Sequence, residues 1–268
     1  MTCYNRAEKT EKCITGLIEG NLAVRFHFVV VNDGSTDGTA EVLRALDERY
    51  HNSTVLNGDG YLYYSRGMRK AMEWLNRSGM QADYVLLVND DVDFQAGAVA
   101  KLVGESRAKG DAVIVGATSD DEGKFTYGGV KYRPGTVDFD FVTPETPEVP
   151  CDTFNANCVL IPWKIYARSE PMDGRYAHAA GDFDYGFSLS RNGAKICSSP
   201  FYVGTCSRNS VKGTWNDRSL SRSERLRKKE NPKGLPLGSW FHFLYKNFGL
   251  GQALLHSFTP YVKILLGK

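Results

Sequence analysis

The sequence contains no apolar run long enough to span a bilayer, no internal repeat and no low-complexity tract. These absences exclude fibrous, disordered and repeat architectures and argue against a membrane-spanning segment. The net charge of +2 is too small to indicate binding to nucleic acid, so no such partner is expected. With 268 residues, of which 42% are hydrophobic, the chain is long enough for one large domain or one domain with an appendage.

The six cysteines form no Cys-x-x-Cys pair, and no histidine stands at zinc-finger spacing. A structural zinc site is therefore not expected. Free thiols are typical of a reducing compartment, so we expect a cytoplasmic protein. No Gly-x-Gly-x-x-Gly follows the first strand, which argues against a dehydrogenase.

The most informative segment is Val29–Thr39, in which a β-branched run leads into Asn-Asp-Gly-Ser-Thr-Asp-Gly-Thr. This pattern predicts a strand that ends at Asp33 in a glycine-rich turn, and helical spacing of apolar residues follows within 39–50. Strand, turn and helix would form one half of a nucleotide-binding α/β unit, with Asp33 at the carboxyl edge of a parallel sheet, where ligands bind. The alternative is that the glycines only make turns and that Asp37 or Thr36 caps the helix.

Two further acidic clusters lie at predicted element ends. The apolar strand 83–88 runs into Asn89-Asp90-Asp91-Val92-Asp93, and Gly181-Asp182-Phe183-Asp184 opens a later helix. Carboxylates that meet at one sheet edge repel each other unless a cation lies between them, and Mg²⁺ or Mn²⁺ holding a pyrophosphate would meet that need. The alternative for residues 89–91 is a solvated turn with a helix cap.

The order of elements favours an α/β fold. Residues 1–116 show a βαβ alternation, and residues 2–6 are typical of a strand end, so we expect the chain to begin inside its own first strand. Residues 124–133 predict an antiparallel hairpin around Gly128-Gly129, and residues 195–203 predict a last strand.

Taken in order, four segments resemble the motifs of inverting, family-2 nucleotide-sugar glycosyltransferases. They are Cys3-Tyr4-Asn5-Arg6, Val31–Thr39, Asn89-Asp90-Asp91-Val92 and Gly181-Asp182-Phe183-Asp184. The resemblance covers about residues 2–205 and implies a GT-A fold, a Rossmann-like αβα sandwich with a mainly parallel central sheet, a small antiparallel hairpin and a C-terminal helical extension. Residues 1–205 would be the catalytic domain, with a nucleotide-binding half of about 1–116 and an acceptor half of about 117–205. Residues 206–268 would be a basic loop and an aromatic helical tail.

The resemblance also implies roles for single residues. Thr2, Tyr4 and Asp33 would line the nucleotide pocket, Asp90 would lie near the ribose and Asp91 would bind Mg²⁺ or Mn²⁺. Asp182 would be the general base that takes the proton of the acceptor hydroxyl, so that one in-line displacement inverts the anomeric carbon.

Three basic residues are weaker candidates for the donor side. Arg66 matches the arginine of the family's second nucleotide-facing loop, although Gly67 stands where an asparagine usually follows. Family members often contact the pyrophosphate from the loop after the last strand, and Arg208 and Lys212 are the candidates here, with an ordinary surface loop as the alternative. In the last motif, Gly181 occupies a place where the family often has glutamate.

The tail combines basic and apolar residues. Residues 218–233 contain seven basic and two acidic residues, and residues 240–265 are rich in aromatic and aliphatic side chains. Such a segment is typical of helices that lie on an anionic membrane, which would suit a lipid-linked saccharide acceptor and a position at the inner face of the membrane. The alternative is that the tail helices pack on the catalytic domain and the basic run is a solvated face.

Other functions compete with glycosyl transfer. A sugar nucleotidyltransferase usually carries a glycine-rich loop with a basic residue near its start, which this chain lacks, and a haloacid dehalogenase-type phosphohydrolase needs Asp-x-Asp followed by Thr or Val, which residues 91–95 do not provide. A non-catalytic sugar-nucleotide-binding homologue is a further alternative. The joint presence of Asp33, Asp91 and Asp182 favours an enzyme.

Overall fold

The structure is a computed structural model and describes residues 1–267. The strands are β1 (Thr2–Cys3), β2 (Phe28–Asn32), β3 (Ser53–Asn57), β4 (Tyr84–Val88), β5 (Asp93–Phe94), β6 (Val113–Ser119), β7 (Phe125–Tyr127), β8 (Gly129–Tyr132), β9 (Phe139–Val142), β10 (Thr153–Phe154), β11 (Cys158–Pro162) and β12 (Ile196–Thr205). The helices are α1 (Ala7–Gly20), α2 (Thr39–Tyr50), α3 (Tyr63–Arg77), α4 (Ala98–Ala108), α5 (Trp163–Tyr166), α6 (Gly181–Arg191), α7 (Arg222–Lys229), α8 (Leu237–His256) and α9 (Thr259–Leu265).

The strands form three sheets. β1, β2 and β3 lie side by side in a parallel sheet. A larger sheet has the order β4-β11-β6-β12-β5, with β7 paired to β6, and β10-β8-β9 form a small antiparallel sheet. The predicted α/β fold with a small antiparallel element and C-terminal helices is confirmed.

Helices cover both faces of the large sheet because its inner strands are apolar on both sides. In β6, Ile114 packs into the core that contains residues of α1, α2 and α4, whereas Val113 and Val115 pack into the core that contains residues of α3 and α6. Leu160 and Val159 of β11 divide between the two cores in the same way. This period of two produces the predicted αβα sandwich.

The large sheet is more mixed than the sequence indicated. β6 and β12 are parallel, but β11 runs antiparallel to both β4 and β6, and β5 runs antiparallel to β12. The chain enters β11 from β10 through residues 155–157, without a crossover helix, so nothing constrains β11 to the parallel direction.

The predicted hairpin around Gly128-Gly129 is wrong. β7 pairs with β6, whereas β8 pairs with β9 and β10. A single residue separates β7 from β8, which is too short for a chain reversal, so the chain passes from one sheet to the next instead. The true hairpin joins β8 to β9.

The first part of the tail packs on the α/β part of the chain. Phe243 and Leu244 of α8 are buried with Tyr176 and Phe187. Lys246 Nζ lies 2.6 Å from Asp184 Oδ2, and Asn247 Nδ2 lies 3.0 Å from Asp184 Oδ1, which ties α8 to the first turn of α6. Within residues 1–267, no helix combines the length and the hydropathy needed to cross a membrane.

Candidate active site

A cleft of about 710 Å³ opens where several strands end. Six of the predicted site residues line it, namely Thr2, Tyr4, Asp33, Asp90, Asp91 and Asp182. They come from β1, β2, the loop after β4 and the start of α6, so elements that are far apart in sequence meet at one edge.

Asp33 organises one wall of the cleft. It is buried, and its Oδ1 and Oδ2 accept hydrogen bonds from the backbone N–H groups of Gly60 (3.0 Å) and Tyr63 (2.9 Å). Gly34 has a φ of +68°, and a Cβ there would lie 2.8 Å from Gly60 N, while a Cβ on Gly58 would lie 2.3 Å from Asp33 Oδ1. The glycines thus allow the turn after β2 to approach the loop before α3, and the carboxylate fixes that loop.

Thr2 and Tyr4 continue the same wall. Thr2 Oγ1 donates to Val31 O at 3.3 Å, and Tyr4 is 46% exposed at the mouth of the cleft. A Cβ on Gly67 would lie 2.5 Å from Thr2 Oγ1. Gly67 therefore makes room for Thr2, which gives a packing reason for the departure from the family's usual asparagine.

Asp90 and Asp91 share one cationic partner. Arg6 Nη1 lies 2.9 Å from Asp90 Oδ1 and 2.8 Å from Asp91 Oδ2. Asp90 also accepts from Thr10 Oγ1 at 3.4 Å, and burial raises the pKa of the Asp90 carboxyl against the opposing effect of Arg6. The sequence motif contained Arg6, but no role was predicted for it.

Asp182 is held by backbone amides. Its Oδ1 accepts from Phe183 N at 2.9 Å and its Oδ2 from Ala156 N at 3.3 Å. In the described part of the chain it forms no ion pair with lysine or arginine, and burial raises the pKa of its carboxyl. A half-buried carboxylate with a raised pKa is suited to accept a proton.

The residue before this acid is a glycine for a steric reason. A Cβ on Gly181 would lie 2.3 Å from Ser65 Oγ, whose hydroxyl donates to His178 O at 2.7 Å. The glutamate that the family often has at this place would not fit beside Ser65.

Two ring side chains that sequence reasoning missed, Tyr64 and His178, line the same cleft. Burial, followed by the charges of Asp182 and Asp91, raises the pKa of Tyr64 well above its ordinary value. His178 packs edge-on against Tyr64 with a centroid separation of 6.4 Å, and burial lowers the pKa of His178, with Lys233 and Arg6 acting in the same direction. His178 therefore presents a neutral imidazole to the cleft.

Two amide oxygens in the cleft are free to accept hydrogen bonds. Within residues 1–267, the buried Oδ1 atoms of Asn89 and Asn155 have no hydrogen-bond partner, and both residues line the cleft. Buried polar atoms without partners are rare in folded proteins, so these two point to a ligand.

The basic candidates lie elsewhere. Arg66 Nε donates to Gly174 O at 3.1 Å, and the Arg208 guanidinium lies 5.8 Å from the centroid of the Phe141 ring. Lys212 is exposed. The loop after β12 instead lines the cleft with Cys206, Ser207 and Asn209, and the tail adds Asn231 and Lys233.

The donor set fits one divalent ion with few protein ligands. No group of three or more His, Cys, Asp or Glu side chains that could hold a metal occurs within residues 1–267. Asp91 presents a carboxylate to the cleft beside the buried Asp90, and hard cations of the Mg²⁺ type commonly take one or two carboxylates and complete their shell with phosphate and water.

A family model matches the N-terminal part of the chain. The family model "Glycosyl transferase family 2" matches residues 1–159, which include Asp33, Asp90 and Asp91 but not Asp182. No curated protein matches the chain.

Similar solved structures include glycosyltransferases of the GT-A type. Mannosyltransferase PcManGT from Pyrobaculum calidifontis, in complex with GDP-Man and Mn²⁺, has a TM-score of 0.55 and 14% identity, with 95% of this chain and 71% of that chain covered. S. aureus TarS 1-349 has a TM-score of 0.58 and 12% identity, and the match covers 98% of this chain and 79% of that chain. A longer S. aureus TarS chain has a TM-score of 0.58 and 11% identity, and the match covers 98% of this chain and 48% of that chain. At these identities the likeness confirms the fold and leaves the substrates open.

Proposed function

Because the chain belongs to glycosyl transferase family 2, we propose that it moves a sugar, with inversion, from a nucleoside diphosphate donor to a hydroxyl of a saccharide acceptor. The observation that carries this proposal is the presence of two kinds of carboxylate in one cleft. Asp90 and Asp91 share the cation Arg6, whereas Asp182 has amide partners. A departing diphosphate needs positive charge, and an attacking hydroxyl needs a base.

On the donor side, we assign nucleotide contacts to Thr2, Tyr4 and Asp33, with Asp90 near the ribose and Asp91 at the metal. A bound Mg²⁺ or Mn²⁺ would neutralise the charge that develops on the diphosphate. Arg6 contacts both carboxylates, so an ion at Asp91 would take over part of the charge compensation that Arg6 supplies in its absence. The GDP-Man and Mn²⁺ bound to the similar mannosyltransferase support this assignment.

On the acceptor side, we assign the general base to Asp182. The acceptor O–H would donate its proton to the Asp182 carboxylate as its oxygen attacks the anomeric carbon from the face opposite the diphosphate. The N–H groups of Ala156 and Phe183 orient the carboxylate, and its raised pKa makes it a better proton acceptor than an exposed aspartate. One displacement of this kind inverts the anomeric centre.

Arg66 and Arg208 remain candidates for donor contacts. Arg208 follows Ser207, which lines the cleft, so closure of the loop after β12 over a donor would bring its guanidinium toward the diphosphate. Arg66 would have to leave Gly174 O to reach the nucleotide.

The second part of the tail supports a lipid-linked acceptor and a position at the inner membrane face. Gly249, with a φ of +86°, interrupts α8. Ala253 and Ile264 after it are buried, but seven large apolar residues are exposed, namely Leu250, Leu254, Leu255, Phe258, Val262, Leu265 and Leu266. Residues 231–268 contain four lysines and no acidic residue. An exposed apolar surface in a segment whose own charged side chains are all lysines is complementary to an anionic bilayer.

Vesicle binding tests the membrane part of the proposal. The chain should sediment with vesicles that contain phosphatidylglycerol and much less with pure phosphatidylcholine. Leu254→Ser combined with Leu255→Ser should lose this binding, whereas Leu22→Ser, at a residue that is 88% exposed far from the tail in sequence, should not. Equal sedimentation of all three chains would overturn membrane contact through the tail.

A transfer assay tests the enzymatic part. Nucleoside diphosphate sugars with Mn²⁺ and a panel of saccharide acceptors should give a product whose anomeric configuration, read by proton NMR coupling, is opposite to that of the donor. A retained configuration would reject the single displacement. Release of pyrophosphate from a nucleoside triphosphate and a sugar phosphate would instead identify a nucleotidyltransferase.

A further inference from the structure

Lys233 is a cation of the cleft that has no acidic partner. Within residues 1–267, the cleft is lined by two lysine or arginine side chains, those of Arg6 and Lys233. Arg6 is bound to Asp90 and Asp91, whereas Lys233 is exposed and forms no ion pair in the described chain. The ammonium group of Lys233 can therefore bind an anion that enters the cleft.

The connection between α7 and α8 that carries Lys233 is held by its own hydrogen bonds. Gly234 N donates to Asn231 O at 2.7 Å, and Lys233 N donates to Asn231 Oδ1 at 3.1 Å. A Cβ on Gly234 would lie 2.3 Å from Lys228 O, so the connection packs directly against the end of α7. Asn231 also lines the cleft. These contacts fix the backbone from which the Lys233 side chain extends.

A buried lysine supports the same connection. Lys229 is fully buried, and its Nζ donates to Leu235 O at 2.6 Å and lies 2.9 Å from Glu230 Oε1. The ammonium also lies 4.0 Å from the centroid of the Tyr261 ring in α9. Glu230 Oε1 accepts from the Tyr261 hydroxyl at 2.5 Å, and Glu230 Oε2 accepts from Leu237 N at 3.2 Å. A buried ammonium needs such partners, so they hold the connection in one conformation.

The charge of Lys233 acts on His178. Burial lowers the pKa of His178, and the charge of Lys233 adds to this effect ahead of that of Arg6. Residues 178–180 line the cleft and lead directly to Asp182, the proposed base. Lys233 is thus associated with the segment before Asp182, whereas Arg6 is bound to the carboxylates of the proposed donor side.

We propose that Lys233 binds a phosphate group of the acceptor, at a subsite separate from that of the donor diphosphate. This inference rests on the proposed glycosyl transfer. A saccharide that is linked to a lipid through phosphate carries such an anion beside its first sugar, and the tail that supplies Lys233 also carries the exposed apolar residues proposed to contact the membrane. The acceptor class is therefore a saccharide whose phosphate lies close to the reacting hydroxyl.

Inorganic phosphate is the probe that tests this subsite in the full chain. With UDP or GDP and Mg²⁺ present to fill the donor side, phosphate should shift the imidazole proton NMR signal of His178, which is one of five histidines. Lys233→Gln should weaken phosphate binding at least about tenfold, because a charge-assisted contact is lost. An affinity unchanged in Lys233→Gln would overturn the proposal.

Lys228→Gln is the matched control for the change of charge. Lys228 lies in α7 near the same connection but does not line the cleft. Its replacement should change phosphate affinity less than about twofold, because an exposed charge outside the site is screened. Equal weakening by Lys228→Gln and Lys233→Gln would show a general attraction of anions and reject the subsite.

The pKa of His178 provides a second readout that does not depend on a ligand. Lys233→Gln should raise this pKa, because the ammonium that disfavours the charged imidazole is removed, and Lys228→Gln should raise it less. The titration is followed by the same NMR signal. An unchanged pKa in Lys233→Gln would place the ammonium away from His178 and contradict the proposal.

Nucleotide and vesicle binding distinguish the acceptor phosphate from two other anions. Lys233→Gln should keep the Kd of UDP or GDP with Mg²⁺ within about twofold, and it should sediment with phosphatidylglycerol vesicles like the wild type. Weaker nucleotide binding would assign Lys233 to the donor, and weaker sedimentation would assign it to lipid headgroups, so either result would overturn the proposal. If neither UDP nor GDP bound the wild type, the proposed donor would be contradicted, whereas loss of phosphate binding in Lys233→Gln would still support the anion subsite.

Discussion

The proposed donor side and the proposed acceptor side of the cleft hold their carboxylates differently. Asp90 and Asp91 lie against the guanidinium of Arg6, whereas Asp182 is surrounded by amide groups. Arg6 offsets part of the effect of burial, which raises the pKa of the Asp90 carboxyl, whereas no cation of the described residues opposes the burial that raises the pKa of the Asp182 carboxyl. The same residue type is thereby suited to charge binding on one side and to proton transfer on the other.

A second contrast lies within one helical turn. Asp182 and Asp184 both stand in the first turn of α6, yet Asp184 is buried against Lys246 and Asn247 of the tail. Asp182 thus lines the cleft, whereas Asp184 attaches the tail. The spacing of these acids in the sequence does not distinguish the two positions.

Removing the carboxylate charge at Asp182 should have the largest effect. We expect Asp182→Asn to lower kcat by about 10³-fold, because the acceptor proton loses its base, while the Kd for nucleoside diphosphate changes less than about twofold. Steady-state kinetics and calorimetry measure the two quantities. A kcat within tenfold of the wild type would remove the base assignment.

The matched control is Asp184→Asn in the same turn. It breaks the contact with Lys246, so the Tm should fall by about 5 °C, with kcat largely retained in the folded fraction. A loss of kcat equal to that of Asp182→Asn would erase the distinction between the two acids.

Asp91 should control the metal dependence of donor binding. In the wild type, Mn²⁺ should tighten nucleoside diphosphate binding by at least about tenfold, and Asp91→Asn should lose most of this gain, because the ion loses its carboxylate ligand. Calorimetric titrations with and without Mn²⁺ provide the comparison. An unchanged gain in the variant would place the ion elsewhere.

Arg6 should compete with the metal for the donor-side acids. Arg6 is 40% exposed in its side chain, so Arg6→Met should lower the Tm by only about 3 °C in metal-free buffer. The affinity of the ligand-free chain for Mn²⁺ should rise severalfold, as measured by titration. Lys12→Met is the control, since Lys12 pairs with the exposed Asp93 on the surface, and it should leave both quantities nearly unchanged. Weaker Mn²⁺ binding in Arg6→Met would contradict the competition.

The smallest expected effect is a displaced pH profile. Because the pKa of the Asp182 carboxyl is raised, the midpoint of the rise of kcat with pH should lie above the ordinary pKa range of aspartate. The residual activity of Asp182→Asn should not show this rise. The Asp182 carboxyl has a higher pKa in the folded chain than in the unfolded chain, so it binds a proton on folding when the pH lies between these two values. The free energy of unfolding of the wild type, relative to that of Asp182→Asn, should therefore fall as the pH rises through this window. A flat kcat down to pH about 4 would argue against a raised pKa.

The sequence located the acids of the cleft because the carboxyl ends of strands meet at one edge. It did so for Asp33 and for the Asp90 and Asp91 pair, and the helix-start pattern located Asp182. Their chemical roles stay predictions. Arg66 illustrates the limit, because a long side chain on a helix bonds to whatever acceptor tertiary packing brings near, here Gly174 O.

His178 and Lys233 were invisible to the sequence for a related reason. His178 and Lys233 come from segments without a motif and reach the cleft only through packing. The sequence misjudged the pairing of β8 because the single-residue connection from β7 does not reveal which neighbour the strand will choose.

The close packing of Gly181 against Ser65 has a consequence for evolution. A side chain at position 181 needs the space that the Ser65 hydroxyl occupies, since a Cβ would lie 2.3 Å from it. The residues at these two positions should therefore covary. In related chains, a glutamate at position 181 should be accompanied by a smaller residue or a shifted helix at position 65.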